Sequence, residues 1–193
     1  MHPDFNPPAR DPKITGRKST ITGLFFVTVT PSVSPTDEEV DHALEVLGMK
    51  RGACLCAYCG DAKTEWDHFR PIVKNRQPTG YITEIANLVP SCGKCNQSKG
   101  NKDWHQWING TAQLCPRLRR PAGLEERISR LKAYELWRKP IKIDYADIFG
   151  KEDWANHLNR LERILQLMQE AENDARNLRD IARRHLETKH KLD

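Results

Sequence analysis

The sequence predicts an α+β protein. A strand–helix segment leads into a small domain stapled by a metal ion, and a mainly helical region follows. Three observations carry this reading. Two CxxC pairs, Cys56/Cys59 and Cys92/Cys95, bracket a short polar stretch. A β-branched and aromatic run at 21–30 is followed closely by a helix-capping box at Thr36. Residues 151–188 contain neither proline nor glycine.

The chain opens with a Pro-rich, basic stretch over residues 1–20, which carries Pro3, Pro7, Pro8, Pro12, Lys13, Arg17 and Lys18 and reads as a flexible arm. Residues 21–30, Ile-Thr-Gly-Leu-Phe-Phe-Val-Thr-Val-Thr, have the composition of a strand, ended by Pro31 and Pro35. Thr36-Asp37-Glu38-Glu39 then forms a capping box, with Val40, Ala43, Leu44 and Leu47 on one helical face and Gly48 placed to end the helix.

The thiols come next. In Cys56-x-x-Cys59 and Cys92-x-x-Cys95, two residues separate each pair, so both sulfurs can turn toward one ion from a tight knuckle. Gly60 and Gly93 follow as permissive backbone positions. Four thiolates suit Zn²⁺ in a closed, structural tetrahedron. A pair of disulfides or a redox CxxC is the alternative, and the paired spacing favours zinc. Cys54 is a rival ligand with poorer spacing than Cys56, and Cys115 reads as a buried thiol.

Between and beside the thiols lie Asp67, His68, Asn87 and Asn96. Carboxylate and amide oxygens suit Mg²⁺ or Mn²⁺, and a neutral imidazole beside such an ion can take a proton from an attacking water. Taken alone, an Asp-His is more often a surface pair, and an Asn next to Gly or Cys is usually turn chemistry. Together, Cys56-x-x-Cys59, Asp67-His68, Asn87-Leu88-Val89 and Cys92-x-x-Cys95-Asn96-x-x-Lys99 resemble the HNH nucleases, a family with a ββα-metal fold. The resemblance implies an α+β, ββα-metal (HNH) core with a four-cysteine zinc site. It also implies His68 as general base, Asp67 and Asn96 as ligands of the magnesium or manganese ion, and Asn87 as the group that orients the His68 strand. Asn96 stands where many family members carry histidine, which favours a hard cation. Arg70 and Lys99 are assigned to phosphate or cofactor binding. Adjacent side chains on a strand point to opposite faces, so Asp67 and His68 can converge only if the strand ends or bulges there.

Beyond the motif, Arg70, Lys74 and Arg76 make the 70–81 loop basic. Trp104 and Trp107 stand at i and i+3, a spacing that favours core packing over base stacking. Residues 115–123 read as a linker with three arginines, and Leu124, Ile128 and Leu131 begin an amphipathic helix that stops before Pro140. In the long 151–188 helix, Leu161, Ile164, Met168, Ala171, Ala175, Leu178 and Ala182 alternate steps of three and four, a heptad-like seam for the 124–138 helix or for a second subunit. The expected organisation is an arm over 1–20, a nuclease domain over 21–112 and a helical region over 113–193.

Composition sets the bounds. With 193 residues, 38% hydrophobic and 30% charged, the chain holds one or two domains with a modest core. A net charge of +5 and a pI near 8.9 allow a polyanionic partner without requiring one. No apolar run approaches membrane-spanning length. CxxC pairs without a secretory signal point to a reducing compartment, and the expected setting is cytoplasmic, of prokaryotic or phage type. The resemblance implies metal-dependent hydrolysis of DNA phosphodiester bonds leaving 5′-phosphate and 3′-hydroxyl ends, with DNA as partner; restriction, phage-encoded nicking and defence or toxin roles all fit, and the C-terminal helices offer a seam for a homodimer. The alternatives are a zinc-stapled DNA-binding module without chemistry, and an interaction protein whose working surface is the C-terminal helices.

Overall fold

The structure is a computed structural model, and it describes residues 12–189. Most of the expected N-terminal arm lies outside that range. The chain divides into two compact units: Phe26–Ile148, and a second that joins the residues up to Phe25 with those from Phe149 onward. This division differs from the expected boundary at 112/113. Residues 113–148 belong with the thiol-bearing unit because Ile128, Leu131 and Tyr134 enter its core.

Helix α1 spans Lys18–Val27 and is preceded by a 3₁₀ turn at Ile14–Arg17, so the strand expected at 21–30 is instead helix as far as Val27 and turn beyond it. Here tertiary packing overrides β propensity. Ile21, Thr22, Phe25 and Phe26 recur at helical spacing on the less exposed face, while Leu24, Val27 and Thr28 face solvent. Phe25 stacks on His157, with ring centroids 4.1 Å apart. Helix α2, Asp37–Val46, follows its capping box as expected: Thr36 Oγ1 accepts from the Glu39 amide, and the Glu39 carboxylate accepts from the Thr36 amide. Ala43 and Leu44 are its buried face, and Gly48 leaves it at φ 68°.

Strand β1, Glu65–His68, pairs antiparallel with β4, Leu88–Ser91, in the register Glu65 to Ser91 through His68 to Leu88. Between them, β2 (Val73–Lys74) and β3 (Gln77–Pro78) form a small hairpin whose tip residues, Asn75 and Arg76, are both left-handed, as a type I′ turn requires. A 3₁₀ turn at Ile85–Asn87 leads into β4. Helix α3, Gly93–Lys99, starts straight after β4 and completes the ββα unit. Helices α4 (Trp104–Ile108), α5 (Pro116–Arg119), α6 (Leu124–Trp137) and α7 (Tyr145–Phe149) follow.

The core of the larger unit is aromatic. Phe69 stacks on Trp104 at 5.2 Å and meets Tyr134 edge-on at 5.3 Å, and Trp107 packs edge-on against Tyr58 at 5.1 Å. Both tryptophans are therefore core residues, as their spacing implied. The α6 residue Tyr134 places its hydroxyl on the carbonyls of Ile85 and Leu88, where β4 begins.

Helix α8, Lys151–Lys189, is the long C-terminal helix. Its less exposed positions include Trp154, His157, Leu158, Leu161, Leu165, Met168, Glu172 and Ala175. The Ile14–Arg17 turn packs on this face at Glu172, whose Oε2 accepts from the Thr15 amide at 2.9 Å and from its hydroxyl at 3.2 Å. The seam is thus rotated from the expected one. Leu161, Met168 and Ala175 lie on it, Leu165 takes the place of Ile164, and Ile164 and Leu178 are exposed. Among the described residues, no helix is long and apolar enough to cross a membrane.

Candidate active site and metal centre

The thiols converge. Cys56, Cys59, Cys92 and Cys95 are all buried, their sulfurs lie within 4.8 Å of one another, and Cys59 Sγ stands 3.7 Å from Cys92 Sγ. Zn–S bonds of about 2.3 Å in a tetrahedron require sulfurs about 3.8 Å apart, so the donor set fits zinc in both chemistry and spacing. The first knuckle is shaped by backbone bonds. The Gly60 amide donates to Cys56 O and the Cys56 amide to Asp61 O, both at 2.8 Å. Gly60 sits at φ 81°, a left-handed conformation that favours glycine, and a Cβ there would displace the Arg127 guanidinium. Gly93 differs from expectation. It opens α3 in helical conformation and its amide donates to Thr64 Oγ1.

Crowding splits the thiols electrostatically. Donation from Cys59 and Cys95 holds Cys56 down at about 3, and Cys56 and Cys59 push Cys95 up. Four thiolates together need a cation. Arg119 on α5 supplies further positive charge, donating from Nη2 to Cys95 Sγ at 2.7 Å while Nη1 reaches Asp61 at 3.3 Å. Cys54 lies outside the cluster, and Cys115 is a buried thiol donating to Gly110 O.

Asp67 sits one strand away from this cluster, 4% exposed. Its Oδ2 accepts from the Tyr58 hydroxyl at 2.6 Å and pairs with Lys99 Nζ at 2.9 Å. Tyr58 is the third residue of the first CxxC motif, so the knuckle that holds the sulfurs also holds Asp67. Burial raises the Asp67 carboxyl above its ordinary range, and Lys99 and Tyr58 oppose that rise. Oδ1 carries no hydrogen bond among the described residues, nor does the half-buried side-chain amide of Asn96 on α3, so both oxygens suit a hard cation that keeps most of its waters.

His68 ends β1. The carbonyl of His68 accepts from Lys99 Nζ at 2.7 Å, and its Nε2 lies 2.9 Å from Thr83 Oγ1. Burial, then the nearby Lys99 charge, lowers its pKa below the ordinary imidazole value. The chain turns directly after it. The Phe69 amide donates to Asn87 O, the Arg70 amide donates to Asn87 Oδ1 at 2.8 Å, and Asn87 Nδ2 donates to Arg70 O at 3.1 Å and Ile82 O at 3.2 Å. The fully buried Asn87 therefore ties the end of β1 to the start of β4.

The two expected phosphate contacts are placed differently. Lys99 is fully buried and occupied by Asp67 and the His68 carbonyl. Arg70 turns toward α6, donating to Glu135 O at 3.1 Å and lying 3.9 Å from the Glu135 carboxylate. Neither presents a free guanidinium or ammonium to a substrate in this conformation. Sequence reasoning does not single out Tyr58, Thr83 or Arg119 as site residues. Tyr58 has a sequence signal, its place inside a knuckle, whereas Thr83 and Arg119 have none, because only folding brings them to their partners.

Residues 56–102 match the HNH endonuclease family. A 68-residue segment is 38% identical to part of the CRISPR-associated endonuclease Cas9 of Corynebacterium diphtheriae, covering 33% of this chain and 6% of that protein. The chain thus corresponds to a small fraction of that relative. No solved structure matches the chain significantly.

Proposed function

We propose that this chain, whose residues 56–102 are an HNH endonuclease domain, hydrolyses DNA phosphodiester bonds with the help of a divalent cation. The observation that carries the reading is the end of β1. There Asp67 and His68 stand at a strand terminus pinned by Asn87, beside the helix that carries Asn96 and inside the matched segment. Asp67 Oδ1 and the Asn96 amide oxygen are the groups that would hold the cation. When bound, a Mg²⁺ or Mn²⁺ ion would neutralise charge on the scissile phosphate and its leaving oxygen. His68, kept neutral by its surroundings, takes the proton of the attacking water. Lys99 and Tyr58 hold the second carboxylate oxygen, so Asp67 has one oxygen left to offer. Asn87 fixes the strand end that positions His68.

In the same reading the four cysteines hold one structural Zn²⁺, DNA is the partner, and the products carry 5′-phosphate and 3′-hydroxyl ends. A restriction or defence role fits such an enzyme, and so does a homodimer built on the C-terminal helix. A second reading, a zinc-stapled DNA-binding module without chemistry, draws on the Lys99–Asp67 pair, since an ammonium competes with a cation for the carboxylate. Purified, zinc-loaded protein incubated with supercoiled plasmid decides between them. Conversion to open circles on addition of Mg²⁺, abolished by chelation, is the outcome expected of the nuclease. Binding without any divalent-dependent nicking leaves the module reading.

A further inference from the structure

Thr83 lies outside the residues that the motif brings together, yet its hydroxyl is 2.9 Å from His68 Nε2. Its own backbone is fixed on both sides, although it is a half-buried loop residue. The Thr83 amide donates to Pro31 O at 3.0 Å and the Val33 amide donates to Thr83 O at 2.9 Å, a parallel bridge to a segment well upstream of the nuclease motif. On either side of Thr83 the same ridge is gripped by a downstream segment. The Ile143 amide donates to Gly80 O, Tyr81 bridges Lys142, and the buried Glu84 carboxylate accepts from the Ile141 amide. Two segments outside residues 56–102 therefore hold the side chain whose hydroxyl meets the His68 ring.

A ring nitrogen bonded to a hydroxyl is unavailable to a water. A base at this position must keep a lone pair on its other nitrogen, Nδ1, and the proton then resides on Nε2. We propose that Thr83 is a positioning residue that accepts a hydrogen bond from His68 Nε2–H, fixing the ring's orientation and leaving Nδ1 as the proton acceptor. The segments at 31–33 and 141–143 act through it. This inference rests on the nuclease reading for its catalytic meaning. The hydrogen bond itself can be observed without substrate.

The test combines a spectrum with a rate. In zinc-loaded protein without DNA or divalent cation, ¹⁵N-labelled histidine should give a His68 Nε2–H signal protected from exchange with water. Thr83→Val should lose that protection, and Thr83→Ser should regain it. With plasmid and Mg²⁺, Thr83→Val should cleave about tenfold more slowly at saturating DNA, the effect of one lost neutral hydrogen bond. Thr83→Ser should recover to within about threefold of the wild-type rate, since it keeps the hydroxyl. A His68 proton found on Nδ1 in the wild type overturns the proposal. So does a Thr83→Val rate equal to wild type when His68→Ala is inactive, or a Thr83→Ser defect as deep as that of Thr83→Val. An active His68→Ala variant defeats the nuclease reading instead and leaves the ring-proton result standing by itself.

Discussion

Replacing Lys99 by methionine tests the buried arrangement at its centre. The ammonium lies 2.9 Å from Asp67 Oδ2 and 2.7 Å from the His68 carbonyl, with side chains 0% and 4% exposed for Lys99 and Asp67. At an effective dielectric near 20, the gross attraction over that distance is roughly 6 kcal/mol. Desolvation offsets part of it, and removal of one partner from a buried pair costs about 3–5 kcal/mol because the other charge is stranded. For a unit of this size that is a fall in Tm of roughly 12–19 °C. The pH dependence follows from the Asp67 pKa. Burial raises it above the unfolded value, so Asp67 favours the fold most when protonated, and that contribution is lost as pH rises through the folded pKa. Lys99 opposes the rise, so without it the pKa climbs further, and by linkage the deficit of Lys99→Met is larger at about pH 8 than at about pH 5. Urea unfolding of zinc-loaded protein, followed through the fluorescence of buried Trp104 and Trp107, measures this at both pH values. Adding Asp67→Asn to Lys99→Met should recover part of the loss, because no charge is then stranded. A Lys99→Met variant within about 1 kcal/mol of wild type at both pH values would refute the reasoning, since a buried pair cannot be broken so cheaply.

Three further outcomes are expected. Protein purified without added metal should hold about one zinc per chain by elemental analysis, and Cys92→Ser should lose both the zinc and the cooperative unfolding of the larger unit. Asn96→Ala should cleave slowly and recover in part at high Mg²⁺ or with Mn²⁺, and Asn96→Asp should be the milder variant because it keeps an oxygen for a hard cation. Because burial and Lys99 hold the His68 pKa below about 6.5, cleavage should persist into mildly acidic buffer and fall as pH drops through that lowered value. A pH–rate profile with its acid limb at or above the ordinary imidazole value would contradict this.

The parts of this structure legible in the sequence are those where local chemistry determines the outcome. Paired CxxC spacing announces a four-sulfur cluster, and the Thr36/Glu39 box announces a helix start, because both are read within a few residues. The resemblance carried by Asp67-His68, Asn87 and Asn96 implies a ββα unit, and β1 ends at His68. What the sequence conceals depends on distant packing. Ile21 to Thr30 carries β-branched residues of strand composition, yet as part of a helix Phe25 stacks on His157 of α8. A lysine at the end of a nuclease motif reads as a phosphate contact, and nothing local reveals that Lys99 folds inward onto Asp67. The seam on α8 is concealed for the same reason. Glu172, a polar residue, lies on the packed face because Thr15 donates to it twice, and no apolar pattern signals that.

The central claim is that the chain cuts DNA with His68 as its base. The direct measurement is the cleavage rate of plasmid DNA by His68→Ala beside wild type, with Mg²⁺ present and with zinc content, unfolding and DNA affinity measured on the same preparations. The account predicts a loss of ~10²–10⁴-fold or more in rate, with the other three quantities unchanged. Cleavage by His68→Ala at the wild-type rate would contradict it.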